Sequence, residues 1–494
     1  MEANARRQGP GGSARLVRGD LLFCLFLVLA VVAVYGRAFD FGFVTFDDDS
    51  YVWANPLVRD GFVPGTVARA FSYTLHNWHP LTWLSLAADA QLFGLEPGWF
   101  HLTNVFLHLA SAVLLFSVLH GATRSFWPSA MAAALFALHP LNVESVAWIS
   151  ERKNVLSTFF WMLGLLAYLR YAERPGPVRY LGVAACLALG LMAKAAVMSF
   201  PVALLVLDFW PLRRLPLPEG GPGERRRAWA RIRGLALEKL PLFCISAAAA
   251  ALAMQAIART GGAVEGVPLG LRAGQALVAA ATYLGQLAWP AGLAMYYPYS
   301  RSLPGWEAAG AALLLAAITA AALAARRSRP YLLAGWVWFL ATLAPMSGLA
   351  QSGNWPAHAD RYAYLPQVGV FLALCFWGWE SAARGRAARR MLLAGCLAVL
   401  AGLSVAAFRQ VGVWEDSRTL YAHALEVTEG NWLAHAQLGI VCQAEGDLAA
   451  AERHLGEAVR LNPGYARAAY NLGVVYARTG RCGQAAGQIG RAHV

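Results

Sequence analysis

Residues 21–35 read LLFCLFLVLAVVAVY, fifteen positions without a charge. A helix needs about 20 apolar residues to cross a bilayer. A helical start near Arg18, with Ala38 and Phe39 beyond, extends the run to that length. Basic Arg6, Arg7, Arg15 and Arg18 precede it, as in a secretory leader, but residues 35–40 (YGRAFD) offer no small-x-small cleavage site. The run therefore reads as a membrane helix. The rest of the 494 residues agrees: 58% are apolar and 14% charged, against about 25% charged in soluble domains.

Eleven crossings are expected, at about 21–39, 102–121, 128–148, 155–171, 180–193, 195–211, 240–258, 307–325, 331–349, 362–379 and 391–408. Arginines gather before the first, after the fourth (Arg170, Arg174, Arg179), after the sixth (Arg213 to Arg233), after the eighth (Arg326, Arg327, Arg329) and after the tenth (Arg384 to Arg390). Eleven crossings put all five clusters on one face, and the positive-inside rule makes that face cytoplasmic. The +13 net charge then sets orientation and needs no nucleic-acid partner. The apolar stretch 273–289 would break this parity as a crossing, so it reads as a re-entrant or interfacial helix. The expected organisation is a cytoplasmic tail 1–20, a membrane domain 21–408 and a soluble helical segment 413–494. The membrane domain includes an external loop 36–100 and a cytoplasmic basic loop 212–238. The seven cysteines form no metal or disulfide pattern.

The last segment repeats itself. An offset of 34 residues superposes Ala434 on Ala468, Leu438 on Leu472, Gly439 on Gly473, Gly446 on Gly480 and Ala451 on Ala485. With Asn462-Pro463 in the turn and YNLGVVYARTG at 470–480, this period resembles the tetratricopeptide repeat. Such helix pairs bury their apolar faces only by stacking into a solenoid. Two and a half repeats are close to the minimum, so either the chain is truncated or the membrane domain serves as a cap.

The external loops carry the chemistry. In FDDDSYVWANP (46–56), Asp47, Asp48 and Asp49 crowd together, which raises carboxylate pKa values and suits a proton acceptor; the alternative is a solvated turn. HNWHPLTWLSLAADAQLFG (76–94) has the pattern of an interfacial helix, with His76 and His79 as ligands or helix-start residues. His139 and Glu144 stand five apart in HPLNVESVAWISERKN, a poor spacing for a metal pair, with Glu151, Arg152 and Lys153 after them. No metal is assigned. Arg361, flanked by Tyr362 and Tyr364, and Lys194 between the fifth and sixth crossings either anchor helices or clamp a phosphate.

DDDSYVWANPLV, HPLNVESVAWISERKNVLS, ADRYAYLPQVG and WEDSRTLYAHAL together resemble the signatures of the transmembrane and tetratricopeptide-repeat protein O-mannosyltransferases, members of the C-type glycosyltransferase superfamily. The resemblance implies an all-α polytopic enzyme that uses a polyprenyl-phosphate sugar at the external face. It implies Asp47 and Asp48 as the acidic pair. From their charge, Arg361 with Lys194 or Arg152 is expected to hold the donor phosphate, and His79, His139, Glu144 and Tyr362 are further site candidates. The implied reaction transfers a mannose-like sugar to a protein hydroxyl with inversion, the acceptor lying along the repeats. The chain departs from many animal members in having Ala195 where they carry Glu, and its composition looks like a bacterial branch, which would place it in the cytoplasmic membrane with the repeats outside. A non-catalytic membrane scaffold for protein partners is the alternative, and a transporter a third.

Overall fold

Proline opens many of the helices, because a helix's first position has no use for an N–H. Pro80, Pro97, Pro177 and Pro330 each stand in the first turn of one. The computed structural model describes residues 18–72, 78–216, 221–259, 267–299, 302–349 and 356–492, and contains no strand among them. His76 and the arginines of the N-terminal tail before Arg18 lie outside the described residues. In chain order the longer helices are α1 (Arg18–Tyr35), α2 (Pro80–Phe93), α3 (Pro97–Thr123), α4 (Phe126–Leu138), α5 (Arg152–Glu173) and α6 (Pro177–Ala193). Then come α7 (Phe200–Phe209), α8 (Pro222–Arg259), α9 (Leu269–Ala288), α10 (Gly305–Ala324), α11 (Pro330–Leu343), α12 (Gln367–Ser381) and α13 (Arg386–Gly412). The C-terminal helices are α14 (Ser417–Val427), α15 (Trp432–Glu445), α16 (Leu448–Leu461), α17 (Ala466–Arg478) and α18 (Cys482–Ala492).

All eleven expected crossings coincide with helix, though not at equal length. Among the described residues six helices, built on α1, α3, α5, α8, α10 and α13, are long and apolar enough to cross a membrane. A seventh arises if α4 and residues Pro140–Ala147, bent by 54°, count as one span. By contrast α6 has 17 residues, α7 10, α11 14 and α12 15. Two of these are short because the chain leaves the helix to place a cation. Lys194 follows α6 in extended backbone, and Arg361 sits in the 3-10 turn Asp360–Tyr362 ahead of α12. Irregular backbone within a membrane domain is tolerated where protein buries it or it lines a cavity. The stretch expected in the interface forms α9, which is not among the helices apolar enough to cross.

The helices give the bundle two chemically distinct ends. α1, α6, α11 and α13 start beside Arg18, Arg179, Arg329 and Arg386 and run towards residues 36–40, Lys194, 344–346 and the C-terminal helices. α5 runs the other way, from Arg152 to Arg170. Basic residues thus gather at one end, and the loops that carry the candidate site at the other. Close packing holds the bundle. A Cβ on Gly335 of α11 would fall on the carbonyl oxygen of Gly369 in α12, and the reverse also holds, so these helices meet backbone to backbone. Charges within the apolar segments are paired: Asp89 with Arg152 at 2.7 Å, Lys194 with Glu151 at 3.1 Å, and Asp208 with Lys239 at 2.5 Å.

The 34-residue period has a direct structural counterpart. Gly439 in α15 lies where a Cβ would come 2.7 Å from Leu455 Cγ in α16, and Gly473 in α17 lies where one would come 2.8 Å from Ile489 Cγ1 in α18. Gly446 and Gly480 both take left-handed backbone, φ +89° and +77°, at the turns that follow α15 and α17. The helix pairs are seated on the membrane domain. Trp414 stacks on Trp148 at 5.7 Å, Asn431 Nδ2 donates to Tyr296 O at 3.0 Å, and α14 and α15 grip Thr45.

Candidate active site

The acidic loop divides its aspartates by backbone geometry. Asp48 is fully buried; its Oδ1 accepts from Ser150 N at 3.0 Å and Ser150 Oγ at 2.5 Å, and its Oδ2 from Val44 N at 3.1 Å. Burial pushes its carboxyl up to about 7, against the pull of those hydrogen bonds. Asp47 is exposed, and its φ of +70° puts it in the left-handed region, at a cost of about 1–3 kcal/mol for a residue other than glycine. Its carbonyl accepts from Tyr51 N at 2.9 Å and so starts the π-helical turn Asp49–Trp53. Asp49 Oδ1 is spent on Ser50 N at 2.8 Å.

Beside this loop, three cations converge on one carboxylate. Glu151, 1% exposed, takes Lys153 Nζ at 3.0 Å on Oε1 and Lys194 Nζ at 3.1 Å on Oε2, with Arg361 Nε 3.6 Å from Oε1. Glu144 is the second carboxylate, receiving the Arg361 backbone N at 2.6 Å and its guanidinium. Asn154 ties the elements together: it donates to Arg361 O at 3.0 Å and Ser145 Oγ at 2.7 Å, and accepts from Lys194 Nζ at 3.1 Å. Asp360 accepts from Tyr297 Oη at 2.8 Å, and burial with the nearby Glu144 charge holds it well above the ordinary carboxylate range. Trp148 joins cluster and loop: it stacks on Phe46 at 4.6 Å, donates Nε1 to Phe46 O at 2.7 Å, and lies 5.4 Å beneath the Arg361 guanidinium. Ser150 is the second link, since its carbonyl accepts from Lys153 Nζ at 2.9 Å while its amide and hydroxyl hold Asp48.

A small cleft lies between Lys194 and Arg361. Asn154 and Thr158 supply polar lining, and Val197 and Leu365 apolar walls. Tyr362 also borders it, 5.0 Å under the Arg361 guanidinium. His79 stands at the start of α2, 5% exposed, and its Nδ1 has no hydrogen-bond partner. One turn on, Thr82 Oγ1 donates to Ala193 O, next to Lys194, at 3.0 Å. Trp83 packs 4.7 Å from Tyr51, whose ring carries Lys153 Nζ at 4.5 Å. Burial first, then the Lys153 and Lys194 charges, pull His79 down to about 3, so it is neutral at physiological pH.

Arg361, Lys194, Glu144, Tyr362, Asp47, Asp48 and His79 are thus brought to one neighbourhood. Two residues expected at the site are elsewhere. Arg152 is fully buried and points into the bundle, where Asp89, Asn104, Ser85 Oγ and Phe100 O consume its guanidinium. His139 is also fully buried; it caps the turn Pro140–Asn142, with Leu141 N on Nδ1 at 3.2 Å and Nε2 on Leu287 O at 3.2 Å. Glu151 and Lys153, named in the sequence beside Glu144 but given no role there, form the centre of this cluster where the ERKN run at 151–154 leads into α5. Among the described residues no group of three or more His, Cys, Asp or Glu is arranged to hold a metal ion.

No family model matches the chain. It is similar to curated proteins named protein O-mannosyl-transferases. It is 30% identical over 251 residues to Tmtc2 of Drosophila melanogaster, covering 47% of this chain and 25% of that protein. It is 32% identical over 182 residues to TMTC1 of Mus musculus, covering 33% and 17% respectively. The chain thus matches a quarter or less of the length of these relatives. Among solved structures, ArnT from Cupriavidus metallidurans bound to undecaprenyl phosphate is similar over 96% of this chain and 77% of that one, with a TM-score of 0.38 and 14% identity.

Proposed function

We propose that the protein is a membrane glycosyltransferase that moves a sugar from a polyprenyl-phosphate donor to a hydroxyl of a protein acceptor at the extracytoplasmic face. The observation that carries this reading is a cation-lined cleft with apolar walls next to a loop that turns one carboxylate outward. A prenyl phosphate is an anion on a hydrocarbon chain, and such a cleft answers both halves. The relatives' name, protein O-mannosyl-transferase, supports the same reaction and a mannose-like sugar.

Arg361 and Lys194 hold the donor phosphate, with Lys153 adding positive charge at the loop side. Arg152 takes no part. Asp47 is the base, since the Asp48 carboxylate is enclosed by Ser150 and Val44. Asp47 removes the proton from an acceptor Ser or Thr hydroxyl as its oxygen bonds to the anomeric carbon. The bond from that carbon to the phosphate oxygen breaks, and the prenyl phosphate leaves with the electron pair. Fixed cations meet that charge without a proton donor. One displacement from the face opposite the leaving group inverts the anomeric centre. The basic end of the bundle faces the cytoplasm, and the site and C-terminal helices face outward.

The test is direct. Purified protein incubated with radiolabelled polyprenyl-phosphate mannose and Ser/Thr peptides should pass label to the peptide. The double variant Asp47→Asn, Asp48→Asn should insert normally and pass none. Label that stays in the donor with the unmutated protein, or transfer that survives the double change, contradicts the reading.

A further inference from the structure

We infer that Ser417, Tyr421 and Gln437 are positioning residues that hold the acidic loop, so that the C-terminal helices are part of the catalytic apparatus. The inference rests on Asp47 as the base. Its physical basis is the hydrogen-bond inventory of Thr45, two residues before Asp47. The Thr45 N–H donates to Ser417 Oγ at 2.9 Å, and its hydroxyl meets Ser417 Oγ at 3.2 Å and Tyr421 Oη at 3.1 Å. Its carbonyl accepts from Gln437 Nε2 at 3.5 Å. All three polar groups of Thr45 are thus satisfied by α14 and α15, more than 370 residues away in sequence. Gly42 N adds a fourth tie, to Glu415 O at 3.3 Å.

Beyond Asp47 the chain is held by the membrane domain instead, through Asp48 on Ser150. The left-handed Asp47 therefore sits where the chain passes from one anchor to the other. A residue in so sparsely populated a conformation persists only where its surroundings over-determine it, and one of its two flanking anchors, Thr45, is held by the C-terminal helices. Tyr421 is fully buried, so this contact is a permanent seat. A helix array that only recruited acceptors would need no such grip.

The experiment uses the full chain in detergent with polyprenyl-phosphate mannose and two acceptors. One is a Ser-containing tripeptide, which spans at most about 10 Å and acts without help from a peptide-binding groove; the other is a 20-residue Ser/Thr peptide. Tyr421→Phe and the pair Ser417→Ala, Tyr421→Phe should lower kcat with both acceptors, by about 10- to 100-fold for the pair, as expected when a catalytic group is misplaced by an ångström. The donor KM should not move, and Ser417→Thr should restore most of the rate. Backbone amides of residues 42–48 should lose at least tenfold in hydrogen-exchange protection. Tyr470→Ala, on exposed α17 surface, should leave tripeptide kcat unchanged. Loss confined to the long peptide, or unchanged protection at 42–48, overturns the inference. Asp47→Asn is run alongside. If it keeps the full rate, the base assignment fails. If it is inactive while the Ser417, Tyr421 pair keeps full kcat, only this inference fails. If the unmutated protein transfers to neither acceptor, both fall.

Discussion

At the scale of single residues, adjacent side chains with the same chemistry have different tasks because the backbone turns between them. Asp47 and Asp48 are one residue apart, yet the first faces outward and the second is enclosed. Asp48→Asn leaves the Val44 amide facing a side-chain N–H, which should cost about 1–3 kcal/mol and lower the thermal unfolding temperature. Asp47→Asn should leave that temperature unchanged while removing transfer. A pH effect follows from Asp48. Its folded pKa of about 7 lies above the ordinary value of about 3.9, so folding takes up a proton. The associated stability is complete below about pH 4 and is lost as pH rises through 7. The unmutated protein should therefore lose stability between pH 4 and 7 relative to Asp48→Asn, which has no carboxyl there to titrate; a parallel course for the two would refute the burial argument. Arg152 and Lys153 show the same contrast. Neighbours on a helix point about 100° apart, so one enters the bundle towards Asp89 and the other meets Glu151. Sequence shows that an acidic pair and a basic pair exist, but not which member of each faces the site. Glu151 carries no assigned role in the sequence because a carboxylate at a helix start looks like an ordinary first-turn acid. Glu151→Gln would leave three cations short of a counter-charge and should cost about 3–5 kcal/mol, measured as thermal unfolding in detergent.

At the scale of elements, the apolar runs revealed where helices lie, because a bilayer demands long stretches without charge. They did not reveal length. Helix α6 ends where Lys194 begins, and α12 starts only after the turn that carries Arg361, so two of the helices too short to cross border the site. The C-terminal helices were legible in finer detail, since a 34-residue period places a glycine wherever two paired helices touch. Gly439→Ala and Gly473→Ala should each force Leu455 or Ile489 aside and cost about 1–3 kcal/mol. Gly335→Ala should be worse, because backbone on α12 cannot move aside as a side chain can. Circular-dichroism melts of the variants would rank them, and a Gly335→Ala as stable as the parent would contradict the close α11–α12 contact.

At the scale of the whole molecule, the bundle is polar in two senses: arginines collect at one end, and the acidic loop, cation cluster and C-terminal helices at the other. That separation was visible from charge alone. The seating of Thr45 on Ser417, Tyr421 and Gln437 was not, since nothing local in either stretch announces a contact across 372 to 392 residues. A phosphatase reporter fused after Val494 should be active outside the cytoplasm, and a cytoplasmic reporter at the same place should be silent. The central claim is that one end of this bundle binds a lipid-linked sugar through fixed cations and activates an acceptor through Asp47. Its most direct test is donor binding and single-turnover transfer measured on the same preparations of the unmutated protein, Asp47→Asn and Arg361→Ala. The expected result is that Asp47→Asn binds polyprenyl-phosphate mannose as the parent does but transfers nothing. Arg361→Ala should bind about 10- to 100-fold more weakly, the worth of a hydrogen bond to a charged group. Equal binding by all three proteins, or transfer by Asp47→Asn at the parent rate, would contradict it.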